Sequence, residues 1–281
     1  MRNGYAGSIL RVDLSSGEVN KTPLPDELID KYIGGRGFLA KLLYDELPPN
    51  TDPYSPENMF LAATGPLSGY FLPASGKVHF ATKSPATGGY ADSNMGGHFG
   101  PALKYAGYDV MVLTGRAETP SYLLIDDERA EIRSAEGYWG MGALSCEAQL
   151  KKDLGEDFQI LTIGPAGESR VRFACISHDF GRQAGRTGVG AVLGSKNIKA
   201  IAVRGTGSLP AHDIEGAYAA GKDAYRKVFA KPGFKEWTPE GTAGITNWTN
   251  EVGVFPTRNF QTSYAEHYQS INGKAVIEQL K

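Results

Sequence analysis

The sequence has 281 residues, with 29 basic and 31 acidic side chains and only two cysteines. That balance excludes a disulfide scaffold, a four-cysteine iron–sulfur centre within this chain and the basic surface of a nucleic-acid-binding protein. At 41% hydrophobic residues the chain is too apolar for disorder, its length suits one large or two smaller domains, and its 36 glycines stand well above the usual share of ~7%.

The first five residues carry no apolar signal core, and no window approaches the roughly 18 uncharged apolar residues of a membrane span. A soluble, cytoplasmic chain is expected. Residues 8–14 alternate apolar and polar side chains, turn at Ser16-Gly17 and return over 18–21 as a hairpin. Leu28, Ile29, Tyr32 and Ile33 then follow helical spacing, which breaks at Gly34-Gly35-Arg36-Gly37 and restarts over 38–47 until Pro48-Pro49. The break reads either as a bend with close packing or as a ligand contact. A buried strand over 59–63 ends on Gly65-Pro66, a second strand is Val78-His79-Phe80-Ala81, and a glycine-rich loop runs to Gly100. A short helix over 101–105 and a strand over 109–114 close the series.

The same series recurs. A hairpin over 122–133, an amphipathic helix over 144–154 and a strand ending on Gly164-Pro165 come first. Val171-Arg172-Phe173-Ala174 then matches Val78-His79-Phe80-Ala81, a second glycine loop spans 178–190, and a strand over 198–204 ends at Gly205. Each half therefore reads as hairpin, helix, two strands, glycine loop, short helix and strand. The expected fold is α+β, an internally duplicated domain with two mixed sheets facing each other. After Pro210 helices are predicted over 214–230, 242–252 and 274–280, so residues 1–209 are expected to form the duplicated domain and 210–281 the start of a helical one.

Both glycine loops precede a predicted helix, where unpaired N–H groups favour an anion. Lys77, Arg182 and Arg186 supply matching charge, and two repeat-related loops would present paired sites suited to two linked phosphates. Tight turns and close packing explain such loops equally well. Asn94 is either a turn residue or a neutral oxygen ligand to a hard divalent ion. The Gly188-x-Gly190 stretch follows an arginine-bearing loop rather than a strand, which argues against a dinucleotide fold. His79, His98, His178, His212 and His267 lack zinc-site spacing, and Cys146 and Cys175 sit in ordinary buried-thiol contexts.

Several stretches, taken together and in order, resemble the N-terminal part of the tungsten-containing aldehyde ferredoxin oxidoreductase family. They include Ile33-Gly34-Gly35-Arg36-Gly37, Ala63-Thr64-Gly65-Pro66-Leu67, Asn94-Met95-Gly96-Gly97-His98-Phe99-Gly100, Ile163-Gly164-Pro165-Ala166-Gly167-Glu168 and Ala184-Gly185-Arg186-Thr187-Gly188-Val189-Gly190. The resemblance implies tungsten, or molybdenum, held by two pterin cofactors whose phosphates are bridged by magnesium. It maps the magnesium ligands to Asn94, through its side chain, and Gln183, through its carbonyl. It maps cofactor contacts to Lys77, Asn94, Gly96, Gly97, Arg182, Gln183, Gly185 and Arg186. Lys77 stands where some members carry arginine, so charge is kept and bidentate phosphate recognition is lost.

The implied activity is oxidation of an aldehyde to a carboxylic acid, with electrons leaving through a 4Fe-4S cluster to ferredoxin. Family members are about twice as long as this chain and carry the cluster cysteines in their helical C-terminal part. The cluster is therefore expected from a C-terminal half or a cluster-bearing partner subunit, and this chain alone is expected to be inactive. A fragment, a truncated product and one subunit of a split enzyme each account for the length. A non-catalytic pterin-binding or assembly module is the alternative reading. Neither nucleic acid nor membrane is an expected partner, and self-association is left open.

Overall fold

The structure is a computed structural model that describes residues 2–280, Glu236 by its backbone alone. The chain divides into two compact units, Met1–Ile214 and Glu215–Lys281.

In the first unit one repeat comprises β1 (Ser8–Asp13), β2 (Val19–Pro23), α1 (Asp26–Tyr32), α2 (Arg36–Glu46), β3 (Phe60–Ala63), β4 (Val78–Lys83), β5 (Tyr90–Met95), α3 (Phe99–Tyr105) and β6 (Val110–Thr114). The other comprises β7 (Ser121–Asp126), β8 (Arg129–Ser134), α4 (Ala143–Leu154), β9 (Gln159–Thr162), α5 (Pro165–Glu168), β10 (Ile176–His178), β11 (Arg182–Ala184), α6 (Val189–Ser195) and β12 (Ile198–Arg204). The strand orders are β2-β1-β6-β3-β4-β5 and β8-β7-β12-β9-β10-β11, the same order in each repeat. In both sheets the hairpin strand beside the last strand pairs with it in parallel, and every other pairing is antiparallel. The internal duplication and the α+β class are thus present in the topology itself.

Strand alternation decides what each sheet buries. Leu10, Phe60, Phe80 and Met95 of the first sheet share one core with Leu161, Ile176, Ile201 and Val203 of the second. The glycine-led helices join that core: α3 packs on β9 and β12, and α6 on β3 and β4, so each repeat inserts a helix against the other's sheet. Phe38, Leu39, Leu42 and Leu43 of α2 cover the outer face of the first sheet, and Cys146 and Leu150 of α4 cover that of the second. Removing so many apolar side chains from water, at ~1.5–3 kcal/mol each, is what holds the layers together.

Two sequence expectations need correction. Val171–Ala174 are not the counterpart of Val78–Ala81: residues 171–174 form a turn, closed by Ala174 N–H donating to Val171 O at 2.8 Å, and Phe173 is 75% exposed where Phe80 is buried. Ile176 takes the place of Val78, since Ser177 pairs with Thr162 as His79 pairs with Ala63. The glycine loops are also shorter than expected, because β5 and β11 lie within them. Ala91, Ser93 and Met95 point inward between half-buried Asp92 and Asn94, an alternation that small polar residues disguise in the sequence.

The second unit contains most of α7 (Ile214–Phe229), then α8 (Pro232–Glu240), α9 (Thr246–Glu251) and α10 (Gly273–Leu280). Helix α8, with Pro232 in its first turn and Pro239 near its end, is absent from the sequence reading. Among the described residues no helix is long and apolar enough to cross a membrane.

Candidate functional site

The two edge strands β5 and β11 lie against each other, which brings the glycine segments of the two repeats together. Ser93 Oγ donates to Gly185 O at 2.7 Å, and Ser84 Oγ donates to Thr187 O at 2.7 Å. A Cβ on Gly97 would lie 2.6 Å from His178 Cδ2 and 3.5 Å from Arg182 Cγ, and the φ of +106° there is itself glycine territory. The second segment is tense: Asp179, Phe180, Arg186 and Thr187 all hold positive φ without being glycine, and a β-branched residue in that region is an outlier.

Asn94 and Gln183 occupy the same register position in their repeats. Asn94 pairs with His79, which pairs with Ala63; Gln183 pairs with Ser177, which pairs with Thr162. Their side chains are engaged differently. Lys77 Nζ donates to Asn94 Oδ1 at 2.8 Å, whereas the Gln183 amide turns onto its own hairpin, 2.9 Å from both Cys175 Sγ and Ser177 Oγ.

Arg182, Arg186 and Lys77 are exposed, and among the described residues none has a carboxylate partner. A cleft of about 430 Å³ opens beside Lys77, lined by Gly34, Gly35, Arg36, Gly65 and His79 among others. The glycine break before α2 therefore shapes this wall: a Cβ on Gly35 would stand 3.2 Å from the His79 ring. Arg36 pairs with Asp92 at 2.5 Å, and Asp92 Oδ1 lies 3.7 Å from His79 Nδ1, both atoms buried without a hydrogen-bond partner. Burial pushes the His79 imidazole below its usual range.

The helix-terminus expectation is narrowed, because part of each helix's set of N–H donors is used inside the fold. The N–H groups of His98 and Phe99, at the start of α3, donate to His178 Nε2 at 3.0 and 3.1 Å, and Gly190 N–H in α6 donates to Ala174 O. These donors are spent inside the fold, so positive charge for an anion comes chiefly from Lys77, Arg182 and Arg186. Sequence reasoning missed His178 and Glu147 as supports. Glu147 of α4 is fully buried and accepts from Asp179 N–H at 2.7 Å and Phe180 N–H at 3.1 Å. An acid next to Cys146 and one helical turn before Leu150, on the apolar side of α4, is the signal available in the sequence, since buried carboxylates are rarely unpaired.

His98, His178 and Asp179 bring ligand atoms within 4.8 Å of one another. They do not form a metal site as they stand, because both ring nitrogens of His178 are committed, Nδ1 to Ile160 O at 2.9 Å and Nε2 to the two N–H groups. Nor do the cysteines fit an iron–sulfur cluster. Cys146 is fully buried with its thiol pushed up to about 11, away from the thiolate a ligand needs, and Cys175 is bonded to Gln183. A phosphate-bearing cofactor fits better: a Cβ on Gly96 or on Gly185 would meet nothing within 4 Å, leaving open backbone between cations that have no carboxylate partner among the described residues.

Comparison with known proteins agrees in extent with this architecture. The family model described as aldehyde ferredoxin oxidoreductase, N-terminal domain, matches residues 9–205, and that for domains 2 and 3 matches residues 219–281. The tungsten-containing aldehyde ferredoxin oxidoreductase of Pyrococcus abyssi is 43% identical over 97% of this chain and 45% of its own length. The aliphatic sulfonate oxidoreductase, WOR-like subunit, of Pyrococcus furiosus is 35% identical over 94% of this chain and 44% of its own length. Among solved structures, the active-site complex BamBC of benzoyl coenzyme A reductase, bound to 1,5-dienoyl-CoA, has a TM-score of 0.83 at 30% identity, covering 99% of this chain and 45% of that one. The chain spans less than half the length of these relatives. It belongs to the aldehyde ferredoxin oxidoreductase family, whose N-terminal domain its duplicated unit carries.

Proposed function

We propose that this chain is the tungstopterin-binding part of an aldehyde:ferredoxin oxidoreductase, with residues 1–209 as the cofactor-binding domain and 210–281 as a helical segment. The observation that carries the reading is the convergence of two repeat-equivalent glycine segments with three basic side chains, Lys77, Arg182 and Arg186, that have no carboxylate partner among the described residues. Phosphates of two pterins would lie on the open backbone at Gly96 and Gly185, with Gly97, packed against His178, holding the first segment in place beside them. Asn94 Oδ1 and the Gln183 carbonyl would hold a magnesium ion between them, as hard oxygen donors suit that ion. Lys77 neutralises phosphate as a point charge, while Arg182 and Arg186 offer forked, bidentate donors.

When bound, the tungsten centre supplies the two-electron oxidation of an aldehyde to a carboxylic acid. This chain's own residues bind and orient the cofactor. Electrons would leave through a 4Fe-4S cluster held outside these residues, on a C-terminal segment or a cluster-bearing subunit, to ferredoxin.

The test is aldehyde-dependent reduction of ferredoxin by the chain purified anaerobically from tungstate-grown cells, assayed alone and with a cluster-bearing family segment. Activity that needs both polypeptides supports the reading. Tungsten and pterin bound without aldehyde oxidation in either assay would favour a cofactor carrier instead, and a chain free of metal in both would end it.

A further inference from the structure

Besides Ser84 and Ser93, a neutral histidine joins the two glycine segments, and among the described residues none of the basic ones does. His178 ends β10 in the second repeat, is fully buried, and reaches into the first repeat. Its Nδ1 lies 2.9 Å from Ile160 O, so that nitrogen carries the proton and Nε2 is left as an acceptor. That acceptor takes the N–H groups of His98 and Phe99 at 3.0 and 3.1 Å, the orphan donors where α3 begins. The Phe99 ring meets the imidazole edge-on at 6.2 Å, and Gly97 supplies the space by lacking a Cβ. Next to it, Glu147 fixes the second segment through Asp179 N–H and Phe180 N–H. Helix α3 itself offers no side-chain N-cap.

We propose that His178 is a positioning residue: a neutral imidazole N-cap, donated across the repeat boundary, that sets the first glycine segment against the second. Its effect on cofactor binding rests on the reading that both segments hold one cofactor assembly. A lysine or arginine here would face two N–H groups with further donors, and an aliphatic residue would leave them buried and unpaired.

Two amides separate this role from simple core filling. In His178→Gln the side-chain oxygen reaches about where Nε2 lies, while in His178→Asn the amide stops near Nδ1. Amide hydrogen exchange is measured on the full chain for residues 96–105, with residues 198–204 as an internal reference, and tungsten and pterin content is measured on the same preparations. His178→Asn is expected to exchange about tenfold faster over 96–105, the loss of one hydrogen bond's worth of protection, with 198–204 unchanged. His178→Gln is expected to stay near wild type. Cofactor content is expected to follow the same order.

The proposal is overturned if His178→Asn keeps wild-type protection over 96–105, or if His178→Gln loses as much as His178→Asn. Should both variants unfold over 198–204 as well, His178 is a core residue and the positioning role fails. If the wild-type chain carries no pterin, the cofactor reading fails, and the exchange comparison still decides the cap.

Discussion

The two repeats fold to the same strand order yet dress their outer faces differently. In the first repeat Lys77, His79 and Arg36 line a cleft, and Asp92 and Asn94 of β5 lie beside them, Asp92 paired with Arg36 and Asn94 bonded to Lys77. At the equivalent positions on β10 and β11 the second repeat places Ser177 and Gln183, with Cys175 beside them, neutral groups bonded to one another. The second repeat instead contributes its charge from Arg182 and Arg186, and it also contributes the buried supports Glu147 and His178. Duplication fixes geometry, and divergence then separates the two repeats: on the proposed reading, one would offer a cation ligand beside a cleft, and the other anion-binding side chains and the histidine cap.

Substitutions at equivalent places should break this symmetry in a definite order. Gly97→Ala is the most damaging: its Cβ would sit 2.6 Å from His178 at a φ of +106°. Combining left-handed strain with overpacking gives a cost of about 2–4 kcal/mol, to be read from denaturant unfolding. Asn94→Ala comes next. It is expected to weaken divalent-cation binding about tenfold, roughly 1.4 kcal/mol, with the fold retained, while Gln183→Ala leaves binding unchanged because only its carbonyl is assigned a role. Manganese titration of both variants checks the pair, and equal losses would mean that the side chains act alike.

Acidification tests the support. Burial holds the His178 pKa below that of a free imidazole, with Asp179 opposing and His98 and Lys151 adding to the depression. A depressed folded pKa means that the unfolded chain binds more protons, so stability is full above the unfolded value of about 6.5 and falls as pH drops below it. Glu147, whose carboxyl burial pushes up, acts with the opposite sign. Thermal unfolding of wild type and His178→Gln over that range isolates the histidine: only wild type should show its share of the acid loss. The smallest stability effect belongs to Gly185→Ala, where a Cβ meets nothing within 4 Å. Unfolding should shift by no more than about 0.5 kcal/mol while pterin content falls, a separation that marks open backbone reserved for a ligand.

Much of this is legible in the sequence because glycine and proline punctuate both repeats alike: Gly65-Pro66 and Gly164-Pro165 mark the ends of β3 and β9, and the leading hairpin of each repeat and helices α2, α4 and α7 fall where periodicity places them, while α5 and α8 do not. Strands β5 and β11 are not legible, since Asp92, Asn94, Arg182 and Gln183 are ordinary loop residues whose strand character comes from pairing with β4 and β10. The turn at Val171 to Ala174 misled for the reverse reason, a strand-like run whose phenylalanine faces solvent. Lys77, Arg182 and Arg186 were visible as charge near glycine. His178 and Glu147 were not, because their roles depend on hydrogen bonds to backbone in other elements, 79 and 80 residues away for His178 and 32 and 33 for Glu147.

On the proposed reading, the duplicated repeats would cradle two pterins around one metal. The pterin-to-tungsten ratio of the purified chain, from pterin fluorescence after oxidative release and elemental analysis of the same sample, tests it most directly. Two pterins per tungsten with one magnesium is the expected result; one pterin per tungsten would contradict a cradle built from both repeats.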